Sequence, residues 1–433
     1  MKRFLSALVV FFVFSCSKNS DYSNDSFGVE GPVIKDYITK VTLKEEQKAI
    51  LEEGNGFSSG LLRMAYDGEN TVVSPLSLQM VLSMVVNGAE GNTSAEILRT
   101  LGYGSFGIEA VNDYCKAVLE QLPALDKGVV INNANAIIVD DSFKMLPEYS
   151  SLAKEYFYAP AESVSFKSGE AVKKINAWAK KNTNGQIDPF IESLPGNVVS
   201  LLLNAIYFKS KWADRNGESL FLTEDIIKER EFMTEKDGIA RMDFLSTTAV
   251  VPYFENDYFQ IVALPYSEGR FLLYAVLPKN VETESLSGLL DIMSESSFRL
   301  TDHPFISSKV SIKIPKFEIC SSFDLTDVLK KMGIKDAFDK SKADFSNMYQ
   351  TIYGTEKVWL GGVIQKSVIK ISEWGTEAAS VTAARMNQET SSGGNSTTPV
   401  LFDANHPFIF FLAEKDTGII LYEGAFTGVA SGR

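Results

Sequence analysis

The chain has 433 residues, 45% of them hydrophobic, enough to bury a large core, and no Pro- or Gly-rich linker or fixed-period repeat divides it. A formal net charge of −13 excludes the concentrated basic surface that nucleic acid requires, and equally a polybasic membrane patch. Three cysteines, at 16, 115 and 320, are too few for a disulfide scaffold and lack metal-ligand spacing.

In chain order, Met1-Lys2-Arg3 supplies a positive end and Phe4 to Phe14 an apolar run broken only by Ser6. The run is too short to span a bilayer and fits the core of a signal peptide. Val13-Phe14-Ser15-Cys16 resembles a bacterial lipobox, which implies lipidation of Cys16 and cleavage before it. The alternative is an ordinary secretory signal. The polar stretch from Ser17 to Ser26 reads as a tether. The expected organisation is a signal peptide over 1–15, a lipidated tether over 16–36 and one large domain over 37–433. That places the protein outside the cytoplasm, anchored in a bacterial cell envelope through its N-terminal lipid alone, or else secreted.

Helical signals come first. Gly54-Asn55-Gly56 reads as an isolated turn. Ser74-Pro75 reads as an N-cap with proline at the first helical position. Met80, Val81, Met84 and Val85 then mark one buried helix face. Thr93-Ser94-Ala95-Glu96 has the form of a capping box opening the next helix. Asp140-Asp141 reads as solvated loop, and Cys115 and Cys320 as isolated, half-buried thiols. Val172, Ile175 and Ala179 space a helix that stops at Asn184-Gly185. Strand signals dominate afterwards. Val199 to Phe208 is nearly continuous apolar, as in a strand covered on both faces. Phe259–Tyr266 and Phe271–Leu277 flank one hairpin turn, and Ile409–Ala413 and Ile419–Phe426 another. Early helices and late strands predict an α+β fold.

Catalytic motifs are missing. The only histidines, His303 and His406, each precede a proline and read as structural. There is no Gly-x-Ser-x-Gly elbow, His-Glu-x-x-His, Cys-x-x-Cys or phosphate-binding Gly-x-x-x-x-Gly-Lys-Ser/Thr loop. No enzyme activity, metal or cofactor is expected.

Several segments resemble the serpin family, in the family's order, between about Lys44 and Val429. They are Asn70-Thr71-Val72-Val73-Ser74-Pro75-Leu76-Ser77, Gly88-Ala89-Glu90-Gly91-Asn92-Thr93, Ile175-Asn176-Ala177-Trp178, Leu203-Asn204-Ala205-Ile206-Tyr207-Phe208 through Trp212, Met332-Gly333-Ile334, Asn405-His406-Pro407-Phe408 and Thr417-Gly418-Ile419. Glu373-Trp374-Gly375-Thr376-Glu377-Ala378-Ala379-Ser380-Val381-Thr382-Ala383-Ala384 resembles the family's loop hinge. The resemblance implies about nine helices around three β-sheets with an exposed reactive-centre loop. It also implies suicide inhibition: a protease attacks the loop, and the cleaved loop inserts as a strand in the main sheet, trapping the acyl-enzyme. By resemblance Ser74, Ser77, Asn204 and Gln365 form the network where the sheet opens. Gln365 departs from the histidine many members carry, but still donates and accepts hydrogen bonds.

Whether this loop can become a strand follows from its residues. With period-two alternation, Thr376, Ala378, Ser380, Thr382, Ala384 and Met386 share one face and carry no charge. Glu377 and Arg385 share the other face. No proline, which lacks a ladder donor, occurs from 375 to 398. Counting fourteen residues on from Gly375 puts the reactive bond at Glu389-Thr390; counting back from Phe402 puts it near Gly393-Gly394, and Arg385-Met386 would attract trypsin-like enzymes. The expected partner is a target protease of the serine class, with the cysteine class as alternative, and the protein is expected to be a monomer. Helix 108–122 carries Lys116 against Glu109, Asp113 and Glu120, so no glycosaminoglycan is expected. The rival readings are a serpin-fold binding protein or chaperone that no longer inserts its loop, and a surface hydrolase.

Overall fold

A computed structural model describes residues 31–428, apart from 168, 195–197, 216–217, 237, 280–284, 296–297, 352–356 and 377–397. Among the described residues there are eight α-helices, against the about nine expected: α1 (Glu45–Ala65), α2 (Pro75–Val86), α3 (Gly91–Leu101), α4 (Ile108–Gln121), α5 (Pro147–Phe157), α6 (Glu170–Asn182), α7 (Leu286–Glu295) and α8 (Thr326–Met332).

A six-stranded sheet organises the molecule. It comprises β2 (Val129–Asp140), β4 (Ala161–Val164), β5 (Ser200–Ser210), β13 (Phe317–Asp324), β15 (Val363–Ser372) and the two-residue β16 (Gly375–Thr376), in the order β13-β15-β16-β5-β2-β4. The apolar run from Val199 forms β5, and the parity of its side chains explains why it lacks alternation. Leu202, Ile206 and Phe208 point into the main core, while Leu201, Leu203 and Ala205 point to the opposite face, where Ile175, Trp178 and Ala179 of α6 cover them. β2 carries no comparable signal because Asn132, Asn133 and Asn135 interrupt its apolar residues.

A nine-stranded sheet packs behind it: β1 (Thr71–Val73), β8 (Ile227–Met233), β9 (Ile239–Glu255), β10 (Phe259–Pro265), β11 (Phe271–Pro278), β12 (Ile306–Pro315), β17 (Val400–Asp403), β18 (Phe408–Glu414) and β19 (Ile420–Phe426). The 17-residue β9 belongs to two parts of it, pairing with β8 and β12 along most of its length and with β10 at its end. The two expected hairpins are β10–β11 and β18–β19, both antiparallel. Two short ribbons complete the strands, β3 (Phe143–Met145) with β14 (Tyr349–Thr351) and β6 (Asp214–Arg215) with β7 (Glu218–Ser219).

α2 lies between the two sheets, touching β19 on one side and β5 and β2 on the other. All twelve of its residues are therefore buried, rather than one face of it. Ser74 caps it, its hydroxyl accepting from the Ser77 N–H at 3.2 Å. Three other local expectations give way to tertiary contacts. α3 starts at Gly91 rather than after a Thr93 cap; the Thr93 hydroxyl accepts from the Asp344 N–H at 3.1 Å and Glu96 Oε2 from the Lys335 and Asp336 N–H groups at 2.7 and 2.8 Å. Gly54 and Gly56 lie inside α1, not in a turn; a Cβ on Gly54 would stand 2.9 Å from Gln79 Nε2 and 3.0 Å from the Tyr103 hydroxyl, so the helix approaches too closely for a side chain there. Asp140 is buried at the end of β2, accepting from the Ser142 and Phe166 N–H groups, rather than solvated. Of the two described cysteines, Cys115 is buried and Cys320 exposed.

Candidate functional site: the seam of the six-stranded sheet

β15 and β5 run parallel and pair from Val363↔Leu202 to Ser367↔Ile206. Above Ser367 they separate. Gly375–Thr376 folds back antiparallel to β15 (Ser372↔Gly375, Ile371↔Thr376) and pairs with Ser210 of β5, so the chain following β15 enters the opening its own strand creates. Gly375 has φ +114°, and a Cβ there would meet the Ser210 carbonyl oxygen at 2.1 Å and Lys211 Cα at 2.7 Å. Backbone angle and space both require glycine. Thr376 is 2% exposed, and its hydroxyl hydrogen-bonds the Tyr266 hydroxyl at 2.5 Å. Between Thr376 and the paired part of the seam lies a narrow cavity of about 10 Å³, lined by Ile187, Tyr207, Phe208, Val368 and Lys370 among others.

An aromatic and ionic clamp surrounds this entry point. The Trp212 indole stacks on Tyr266 with centroids 4.4 Å apart and donates to the Ser372 carbonyl at 2.7 Å. The Ser372 hydroxyl donates to the Gly375 carbonyl at 3.1 Å. Glu373, 7% exposed, pairs with Lys316 at 2.7 Å. Burial holds the Tyr266 hydroxyl well above its ordinary ionisation range, with the Thr376 contact opposing, so it stays a neutral donor and acceptor.

Within the paired seam, where Gln365 stands opposite Asn204, Ser74, Ser77, Asn204 and Gln365 lie in one buried network. Gln365 Nε2 donates to Asn204 Oδ1 at 2.9 Å and to the Ser74 carbonyl at 3.0 Å, while its Oε1 accepts from the Ser74 N–H at 2.9 Å. Asn204 Nδ2 donates to the Ser77 carbonyl at 3.0 Å, to Asn135 Oδ1 at 2.6 Å and to the Ser77 hydroxyl. Asn133 Oδ1 accepts from the Ser77 hydroxyl at 2.6 Å. The network ties α2 to β2, β5 and β15, three strands that lie on both sides of the seam. Glutamine fills the Gln365 position with one acceptor and two donors used, so all its polar atoms are engaged.

Sequence reasoning missed Tyr266, Lys316, Asn133 and Asn135. Each is distant in the chain from the residues it meets, and only the asparagines in an otherwise apolar strand carried a signal. Trp212 ends the Leu203–Trp212 stretch that resembles the family, which by itself assigns it no role. Glu377, Ala378, Ala379, Ser380, Thr382, the bond Glu389-Thr390 and Cys16 lie outside the described residues. His406 bridges Asn405 Oδ1 and the Pro278 carbonyl at 2.9 and 3.0 Å, and His303 packs against Phe254 and Phe298. Among the described residues no group of three or more His, Cys, Asp or Glu converges as a metal would need, and no helix is long and apolar enough to cross a membrane.

Residues 53–428 match the family model described as Serpin (serine protease inhibitor). The chain belongs to the serpin family. It is 32% identical over 371 residues to serine protease inhibitor 42Dd of Drosophila melanogaster, covering 84% of this chain and 92% of that one. It is 31% identical over 386 residues to an uncharacterised serpin-like protein of Thermococcus kodakarensis, covering 88% and 86%. Its fold matches the native state of the thermophilic serpin tengpin with a TM-score of 0.80 at 23% identity, over 92% of this chain and 98% of that one. The architecture of this serpin is thus the expected mixed α+β fold. Its third sheet is the β8-β9-β12-β17 end of the continuous nine-stranded sheet, joined to the rest through β9.

Proposed function

We propose that this serpin inhibits serine proteases as a suicide substrate, with residues 377–397 as bait. The observation that carries the reading is the seating of Gly375–Thr376 between β15 and β5, antiparallel to β15, at the open end of a seam. A strand continuing from Thr376 would extend along that seam in the same register, with the uncharged set beginning Thr376 and Ala378 on the inner face. On attack, the protease serine oxygen bonds to the carbonyl carbon of the bait residue, the peptide C–N bond breaks, and the new amine leaves with a proton. The severed arm is then free to lengthen the sheet at the cost of opening the β15–β5 pairing and the Gln365–Asn204 link. We place the bond at Glu389-Thr390.

A serine-protease panel followed by a denaturing gel tests this. A heat-stable covalent complex is expected with a glutamate-specific enzyme, and mass analysis of the released C-terminal fragment should find Thr390 at its start. Clean loop cleavage by every enzyme, with no complex, would overturn the reading. We also propose export with lipidation at Cys16 as membrane anchor; a mature chain without an acylated N-terminal cysteine would refute that part.

A further inference from the structure

We propose that a cavity at the end of β2 and β5, on the opposite side of β5 from the hinge, binds a small organic zwitterion. The ligand class is an apolar body carrying one acidic group and one amine. The site is independent of the inhibitory reading, and its test measures binding alone.

The cavity measures about 600 Å³, within the range that takes a drug-sized ligand. Its floor follows from strand register. Val130 of β2 stands opposite Lys209 of β5, and their neighbours Ile131 and Phe208 lie in the main core. Val130 and Lys209 therefore point to the other face of the sheet, and Lys211 follows with the same parity. α6 covers that face at Ala134 and Ala136 but not at Val130, which is 51% exposed. The facing wall is the turn between β10 and β11. Buried Asp126 pins it to the start of β2, accepting from the Gly128 N–H at 2.8 Å, the Ser267 hydroxyl at 2.8 Å and the Glu268 N–H at 2.9 Å. The Ser267 N–H donates to the Lys211 carbonyl at 3.0 Å. A Cβ on Gly128 would stand 2.1 Å from the Ser267 hydroxyl, so only glycine lets the turn approach this closely. The wall is thus fixed before any ligand arrives.

The charges on the lining name the ligand. Lys209 and Lys211 stand on the strand, Asp214 and Glu268 on the loops, and all four line the one cavity. Among the described residues none of the four is taken up by an ion pair, although both signs share the rim. Asp126 is no rival for the lysines, because three donors already occupy its carboxylate. Alternate residues of a strand stand about 7 Å apart, so both ammonium groups can reach one acidic group. A simple anion would meet the lysines and be repelled by the carboxylates, and a simple cation the reverse. A zwitterion satisfies both pairs with charge-assisted hydrogen bonds, while its apolar body lies over Val130 with Trp212 behind. Two sources share this chemistry: a free dipeptide with apolar side chains, and the headgroup of lysophosphatidylethanolamine.

The test is calorimetric titration of the full chain with leucyl-leucine and two capped forms. N-acetyl-leucyl-leucine has lost the charged amine, and leucyl-leucinamide the acid. Leucyl-leucine should bind at a single site, and each capped form about tenfold more weakly. K209M combined with K211M should weaken leucyl-leucine about tenfold and leave leucyl-leucinamide at its wild-type affinity. D214N combined with E268Q should weaken leucyl-leucine about as much and spare the acetylated form. Unchanged unfolding midpoints establish that the variants fold. Lysophosphatidylethanolamine below its micellar concentration is the lipid arm: displacement of leucyl-leucine supports the site with a lipid source, and failure to displace supports it with a peptide source. No saturable binding of either ligand would overturn the proposal, as would wild-type affinity for leucyl-leucine in both double variants.

Discussion

Replacing Thr376 by arginine should turn this serpin from inhibitor into substrate. Thr376 is 2% exposed, its hydroxyl is held by Tyr266 at 2.5 Å, and the cavity beside it measures about 10 Å³, space for one water and not for a guanidinium. The native hinge would have to leave its slot, forfeiting a hydrogen bond and threonine burial worth about 1–2 kcal/mol. Insertion would fare worse, because the arm must carry an unpaired cation between β15 and β5. Even about 3 kcal/mol of that penalty added to the insertion barrier slows the step about 100-fold. Hydrolysis of the acyl-enzyme then wins. The assay is the stoichiometry of inhibition with a protease the wild type traps. T376R should consume many inhibitor molecules per enzyme and give cleaved chain on the gel, while T376V, which keeps the volume and loses only the hydroxyl, should still trap. Equal complex yields for T376R and wild type would refute insertion at this seam.

The central network should be costly to break from one side. Asn204→Leu strands Gln365, Asn135 and the Ser77 carbonyl in a buried site and should destabilise the native state by about 3 kcal/mol in urea unfolding; a loss under 1 kcal/mol would contradict the observed bonding. The Lys316–Glu373 pair, with side chains only 27% and 10% exposed, should show a coupling of about 2 kcal/mol in a double-mutant cycle, and additive single substitutions would remove it from the clamp. Glu423 is 1% exposed, accepts from the Leu62 N–H at 3.1 Å, and burial holds its carboxyl well above the usual 4.5, the one hydrogen bond opposing. It binds its proton more tightly folded than unfolded. Ionisation of the unfolded chain therefore erodes stability as pH rises above about 4.5, up to the folded value. The advantage of Glu423→Gln over wild type in thermal unfolding should grow from pH 5 to pH 8; parallel curves would show that Glu423 does not titrate on unfolding.

The sequence by itself determined the secondary structure at several positions where the signal was local and chemical. Ser74-Pro75 started a helix, Asn184-Gly185 ended one, and the glycine at 375 marked a backbone only glycine adopts. It also named Ser74, Ser77, Asn204 and Gln365 through family resemblance, and the alternation that keeps charge off one face of the loop. Tertiary structure decided what local pattern cannot encode. Because α2 is packed between two sheets, its apparent single stripe became burial on every side. The pull of Asp344, Lys335 and Asp336 took Thr93 and Glu96 away from capping, since a buried or long-range partner outweighs a cap worth about 1 kcal/mol. Asn133 and Asn135 made β2 look unlike a strand until their partners came from α2 and β5, across dozens of residues. The seam itself belongs to this second class. A gap between two parallel strands exists only once both are paired below it, and the clamp of Trp212, Tyr266, Lys316 and Glu373 converges there from four separate parts of the chain.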